Sequence, residues 1–531
     1  MFLLPMPGRR VRIAVKRSLS AARSWALALV LAAIPAGLLR ATDPAALTQA
    51  IRSIQATELQ AHVETLAGDA YEGREAGTRG GRAAAEYLQQ HFAARGLRGA
   101  GDDGGYYQPF GNGYRNVLAM LEGCDPERKQ EVIVLGAHYD HVGYGNRWTS
   151  RGPLGYIHNG ADDNASGVAG VLEAADAFAD LPAPPKRSLL FALWDGEEKG
   201  LLGSWHFLNR PAVPLERIVF SVSADMIGRM RDSRISVFGS RTGQGLRRLT
   251  AENNRSSDLR IDFDWEMQAD SDHFPFFARR VPVLLFHTGV HDDMHRPSDD
   301  AIRVNKEGME AAARLMFRVT WALANEDRVC RFREESRGER GADRSRLEEP
   351  LPPLPPRLGV QWSTPSVEGG FVLTAVTPGS AAHRAGLLAG DRLMEFAGRA
   401  VGDPEQFRSL VLAARSPATV VVQRPGEDQP RRLLAELDGP PTRLGVSWRT
   451  DDAEPGTVIL TRVVPGSAAQ RAGLRPGDRI YAVGGRSFAG SESFARLVQL
   501  LPNPLELTIE RDGRLAAFVL DLPPAEETRS L

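Results

Sequence analysis

The stretch EVIVLGAHYD, residues 131–140, decides the fold. A run of Val, Ile and Leu without alternating polar positions reads as a strand buried on both faces. It ends in His138 and Asp140, two residues with no place in an apolar core. Three further runs repeat the form: SLLFALWDGEE at 188–198, IVFSVSADMIG at 218–228 and VPVLLFHTG at 281–289. Two other segments, GVAGVLEAADAFADL at 167–181 and KEGMEAAARLMFRVTWALANE at 306–326, carry apolar residues at helical spacing. Strands alternating with helices predict an α/β domain over residues 42–330, a mostly parallel sheet with helices on both faces.

Open α/β sheets gather their ligands at the carboxyl ends of the strands. Here each strand ends in residues able to bind a metal: His138 and Asp140, then Glu197 and Glu198, then Asp225, then a cluster of His287, His291 and His295. Between the first two runs, HNGADDNASG at 158–167 sets Asp162 beside Asp163. A solvated turn explains one such loop, because Asp, Asn, Gly and Ser favour turns. It does not explain His, Asp and Glu at every strand end.

The rest of the chain bounds the reading. With 531 residues, several domains are expected; 42% hydrophobic and 25% charged residues are ordinary globular values. A net charge of −1 and the lack of a basic stripe exclude a nucleic-acid partner. Basic residues from Arg9 to Arg23 precede the apolar run WALALVLAAIPAGLL at 25–39, so residues 1–41 read as a signal peptide. That predicts a secreted or periplasmic protein, touching a membrane only if the segment stays uncleaved as an anchor. Cys124 and Cys330 form no CxxC pair and are read as isolated small hydrophobes. Residues 331–356, dense in both charges and ending in proline, read as a solvated linker.

Beyond the linker the chain repeats itself. RLGVQW at 357–362 returns as RLGVSW at 443–448, and VTPGSAAHRAGLLAGDRL at 376–393 as VVPGSAAQRAGLRPGDRI at 463–480. These copies, at 357–438 and 439–523, resemble the small β-rich PDZ domains of bacterial proteases. The resemblance implies that Leu358, Gly359 and Val360, and again Leu444, Gly445 and Val446, form loops whose backbone N–H groups receive a terminal carboxylate. C-terminal peptides or proteins are then the expected partners.

HYD, GADDNASG, GEEKGLLGS, ADMIGR, SDHFPF and MHRPSDD, in that order, resemble the zinc exopeptidases of peptidase family M28, which include dizinc leucyl aminopeptidases. YEGREAGTRGGRAAAEYLQQHFAARGL at 71–97 matches the helix that precedes the family's sheet. The resemblance implies two Zn²⁺ ions, with Asp162 bridging them, His138 and Asp225 completing one site, and Glu198 and His295 the other. It also implies a cis peptide between Asp162 and Asp163, the latter serving as a backbone device. Asp140 orients His138, as partners of metal-bound histidines do. With Glu198 on the metal, Glu197 is expected to be the general base that takes a proton from water and passes it to the leaving amine. Asp272 and His273 are expected to line the substrate pocket. His287, His291 and His295 all have ligand chemistry, but only His295 precedes RPSD, and Met294 stands where the family often has an aromatic residue. His141, His158 and His206 are read as ordinary polar residues. Cobalt or manganese would also suit such donors.

The expected activity is therefore removal of N-terminal residues from peptides by a dizinc aminopeptidase, with PDZ modules recruiting substrates or partners. Deleting residues 357–531 is expected to spare hydrolysis of a small amide. Same-fold alternatives are a carboxypeptidase and a one-zinc glutaminyl cyclase, from which GADDNASG departs. A non-catalytic PDZ scaffold would lack ligands, and none is missing.

Overall fold

The computed structural model describes residues 43–363 and 370–522, and the signal-like segment 1–41 lies outside them. Nine strands make one sheet among the described residues: β1 (Arg98–Gly99), β2 (Tyr107–Phe110), β3 (Tyr114–Leu121), β4 (Val132–His138), β5 (Ser188–Trp194), β6 (Ile218–Ala224), β7 (Arg234–Phe238), β8 (Arg260–Asp264) and β9 (Val283–His287). Their order is β1-β3-β5-β4-β6-β9-β7-β8, with β2 paired to β3. The four apolar runs are the parallel centre, β5-β4-β6-β9. Every residue of β4 and β5 is buried, which is why neither alternates polar and apolar positions.

Helices α1 (Pro44–Ser53), α2 (Ala56–Leu66), α3 (Arg79–Ala94), α4 (Gly167–Ala179), α5 (Leu202–Asn209), α6 (Leu246–Asn253), α7 (His273–Ala278) and α8 (Lys306–Asn325) flank the sheet. On one face α4, apolar nearly all round, packs between the sheet and α8, with Phe178 and Phe317 ring centres 4.3 Å apart. On the other face Trp194 of β5 meets Phe207 of α5 and Phe276 of α7. Each such aromatic, fully buried, contributes roughly 1.5–3 kcal/mol of transfer free energy. Both faces are covered, as the apolar runs require.

Two antiparallel sheets follow, spanning Val360–Ala435 and Val446–Leu520. Each holds a short helix, Ala381–Arg384 or Ala468–Arg471, whose N-terminus is capped by the hydroxyl of Ser380 or Ser467. Each also holds a longer helix, Pro404–Ala413 or Ser491–Leu500.

The charged segment after residue 330 differs from a solvated linker. It carries a helix, α9 (Gly341–Glu348), wedged between the first domain and the second PDZ sheet. Arg241 and Arg333 both grip Glu339, and Arg241 also holds both carboxylate oxygens of Asp451 at 2.9 and 2.8 Å. Arg479 reaches Glu348 at 2.7 Å. The charges are paired across segments too distant in sequence for local composition to reveal.

Burial alone would raise the Glu339 carboxyl, but hydrogen bonds and charge from Arg241 and Arg333 pull it down to about 2, from an ordinary 4.5. A carboxylate held low in the folded state adds stability above its ordinary value and loses it as pH falls toward the folded one. The stability difference between the full chain and a Glu339→Gln variant is therefore expected to be full at pH 7 and to fade between about pH 4.5 and 2. Thermal unfolding of both across that range checks it, and a difference independent of pH would remove the ionic role.

Candidate metal centre

Four loops at the carboxyl ends of the central strands build one cluster. At the end of β4 the His138 Nδ1–H donates to the Asp140 carbonyl at 3.2 Å, so Nε2 faces the crevice. That nitrogen lies 3.4 Å from Asp163 Oδ1, 3.4 Å from Asp225 Oδ1 and 3.9 Å from Glu197 Oε2. On the far side of Asp163, Oδ2 stands 3.0 Å from His295 Nε2, which is 3.2 Å from Glu198 Oε2. Asp163 thus sits between two groups of donors.

This corrects the expected bridge. Asp162 turns the other way: Oδ1 accepts from Gly228 N–H at 2.6 Å and Ser166 Oγ at 3.0 Å, and Oδ2 meets His291 Nε2 at 3.1 Å. Asp162 therefore fixes the chain just after Asp225, and Asp163 faces the crevice. The cis peptide is Asp163–Asn164, not Asp162–Asp163. Adjacent aspartates have the same chemistry, and only the path of the turn decides which carboxylate faces inward. Gly160 sets that path with φ +58°, where a Cβ would lie 2.2 Å from the Asp163 carbonyl.

Two buried residues without an assigned role hold the turn. Asp299 accepts from the N–H groups of Asp162 and Asp163 at 3.1 and 3.0 Å. Arg74, completely buried, donates to the carbonyls of Leu66, Tyr139, Asn159 and Gly160, tying the end of β4 to the aspartate loop. Both lie inside stretches already singled out, YEGREAGT and RPSDD, where a charge among small residues was the available signal.

Asp140 orients His138 through its carbonyl, while its carboxylate accepts the Glu197 backbone N–H at 3.0 Å. Burial, with nearby carboxylates, pushes the Glu197 carboxyl well above its ordinary range, against the pull of His138. Asp272 and His273 do not line the crevice. Both are buried behind it, Asp272 accepting from Ser204 Oγ, and Asp270 and Ser271 form that part of the wall. His141, read as an ordinary polar residue, is part of the cluster, with Nδ1 2.8 Å from Glu198 Oε1. The crevice encloses about 420 Å³, and Leu201, Met226, Phe238, Leu285, Val290 and Met294 give it an apolar wall.

The residues fit metal ions. Donor atoms of His138, Asp163 and Asp225 lie within 4.8 Å of one another, as do those of His141, Asp163 and Glu198. Asp163 is buried, and four carboxylates converging on imidazole nitrogens call for cations. Imidazole and carboxylate are zinc-type donors.

A buried set of imidazoles and carboxylates at the carboxyl ends of a mostly parallel sheet is a metal site in the ligand crevice of an open α/β fold. Residues 116–320 match peptidase family M28, and residues 372–424 and 459–511 each match the PDZ domain. The M28 match thus precedes the two PDZ matches along the chain. It is 28% identical to leupeptin-inactivating enzyme 1 of Streptomyces exfoliatus over 51% of this chain and 58% of that protein. Aminopeptidase YwaD of Bacillus subtilis is 24% identical over 37% of this chain and 42% of its own. The chain thus spans about half the length of these relatives. The LapA aminopeptidase of Legionella pneumophila is similar in structure, with a TM-score of 0.44 and 21% identity over 53% of this chain and 75% of that one.

Proposed function

We propose that this chain is a dizinc aminopeptidase acting outside the cytoplasm on peptides with an apolar N-terminal residue. The observation that carries the reading is the placement of Glu197, with Oε2 3.9 Å from His138 Nε2 beside a carboxylate, Asp163, that faces both donor groups. Asp163, His138 and Asp225 would hold one ion, and Asp163, Glu198 and His295 the other. When bound, the metal centre would polarise the scissile carbonyl and acidify the attacking water. Glu197 then takes the proton from that water at its carboxylate and returns it to the departing amine. Asp140 keeps Glu197 in place through the backbone N–H, and the apolar wall receives the terminal side chain. The similarity to aminopeptidase YwaD and the signal-like residues 1–41 support the activity and the location.

Recruitment belongs to the first PDZ domain. A cavity of about 300 Å³ there is lined by Leu358, Gly359, Val360, Trp362 and Phe407, the loop and helix that receive a peptide terminus. In the second, the Gly445 N–H already donates to Thr442 Oγ1 at 2.9 Å, and Trp448 Nε1 crosses to Ser491 Oγ at 2.9 Å.

Replacing Glu197 with Gln is expected to lower turnover by at least about 10²-fold while both ions stay bound. Mass spectrometry of a free-amine peptide, its acetylated twin and a Gln-initiated version, each incubated with zinc-loaded protein and with the variant, tests this. Stepwise loss from the free-amine peptide alone is the expected result. Trimming from the carboxyl end, or loss of ammonia from the Gln peptide only, would move the activity to another member of the fold.

A further inference from the structure

The two donor groups are unequal. His138, Asp163 and Asp225 offer three protein atoms on one side. On the other, His141 joins Asp163, Glu198 and His295. The His141 Nδ1 is 2.8 Å from Glu198 Oε1 and 3.8 Å from Asp163 Oδ2, the carboxylates that His295 Nε2 also approaches at 3.2 and 3.0 Å. His141 is 1% exposed and its position is set from behind. Its backbone N–H donates to the Arg74 carbonyl, and Gly160 presses on the ring so closely that a Cβ there would lie 2.5 Å from Cγ and Cδ2. The other ring nitrogen, Nε2, is buried without a hydrogen-bond partner, so the ring has no polar function except through Nδ1.

We propose that His141 is a fourth protein ligand, closing the coordination of the ion held by Asp163, Glu198 and His295. Zinc enclosed by four protein donors is of the structural kind, whereas three donors leave a position open for water or substrate. The ion at His138 and Asp225 is then the open and exchangeable one, and the ion at His141 is held tightly. This rests on the dizinc reading above.

The alternative role for His141 is to hold Glu198 by a hydrogen bond alone, and Asn separates the two. An Asn side chain can place an N–H near the Nδ1 position while being a poor zinc ligand. The full chain and its His141→Asn variant, freed of metal and titrated with zinc against a chromophoric chelator, should differ. The wild type should show one tight and one weak site, and the variant should lose more than about 100-fold from the tight one, beyond what a hydrogen-bonding partner usually contributes. X-ray absorption of the zinc-loaded wild type should count three imidazoles over two ions, and two in the variant. Two imidazoles in the wild type, or a variant whose tight site is weakened less than about 10-fold, would overturn the assignment of His141 and leave the dizinc reading standing. A wild type that takes up no zinc would overturn both.

Discussion

If the dizinc reading holds, Asp163→Asn will lose both metals and abolish peptide hydrolysis, whereas Asp162→Asn will keep them. The carboxylate of Asp163 faces His138 through Oδ1 and His295 through Oδ2, so a neutral amide removes charge and a donor atom from both groups at once. A loss of more than about 100-fold in metal affinity is expected, since even residues that only support a ligand contribute 10–100-fold. Asp162 lies one residue earlier and holds Gly228, Ser166 and His291. Asn retains an oxygen for Gly228 N–H and disturbs only the His291 contact, at a cost of about 1–3 kcal/mol in stability. Metal content after dialysis and thermal unfolding of both variants decide the matter. Metal lost from Asp162→Asn and kept by Asp163→Asn would return the bridge to Asp162.

Removing the second PDZ domain will unfold or aggregate the protein, while excising residues 357–438 will leave a folded enzyme. β8 is the edge of the main sheet, and its Ile261 N–H donates to the Asp512 carbonyl of the second PDZ domain at 2.8 Å. Ile261, Phe263 and Leu246 are buried there, and Asn254 Nδ2 bonds the Gly513 carbonyl at 2.8 Å. Beside them Arg247 pairs with Glu510 through two hydrogen bonds of 2.9 and 3.1 Å. Truncation at residue 442 would uncover an edge strand and its apolar neighbours, a template for aggregation. Even Glu510→Ala, which removes a fully buried carboxylate and leaves the half-buried Arg247 only one carboxylate contact, with Glu348 at 3.4 Å, is expected to cost about 3 kcal/mol. The first PDZ domain meets the second through few contacts, such as Thr442 N–H to the Leu412 carbonyl. Its excision should therefore preserve turnover of a small amide while slowing cleavage of long peptides. This revises the expectation that all residues from 357 onward are dispensable. Soluble expression, unfolding temperature and the two substrate rates test it, and a well-folded chain lacking residues 443–531 would show that the second PDZ domain is not structural.

The α/β fold was legible because its signals are local. Four apolar runs without alternation require a sheet covered on both faces, and a His, Asp or Glu at the end of each run marks the edge where an open sheet binds its ligand. The PDZ pair was legible because a repeat is visible without any partner. Asp270 and Ser271 in the wall, in place of Asp272 and His273, depend on which side of the turn before α7 meets the crevice. The charged segment at 331–349 looked solvated because composition records charges and not their partners, which stand 98 residues away for Glu339 and 131 for Glu348.

What the amino-acid order determined on its own is the fold class, the repeat and the set of residue types at the centre. What only the tertiary structure decided is orientation: Asp163 inward and Asp162 outward, His141 into the cluster, and Arg247 against Glu510. The physical reason is that hydrophobic periodicity is a property of neighbours along the chain. The direction of a carboxylate or an imidazole is set by backbone turns and by partners brought from distant segments.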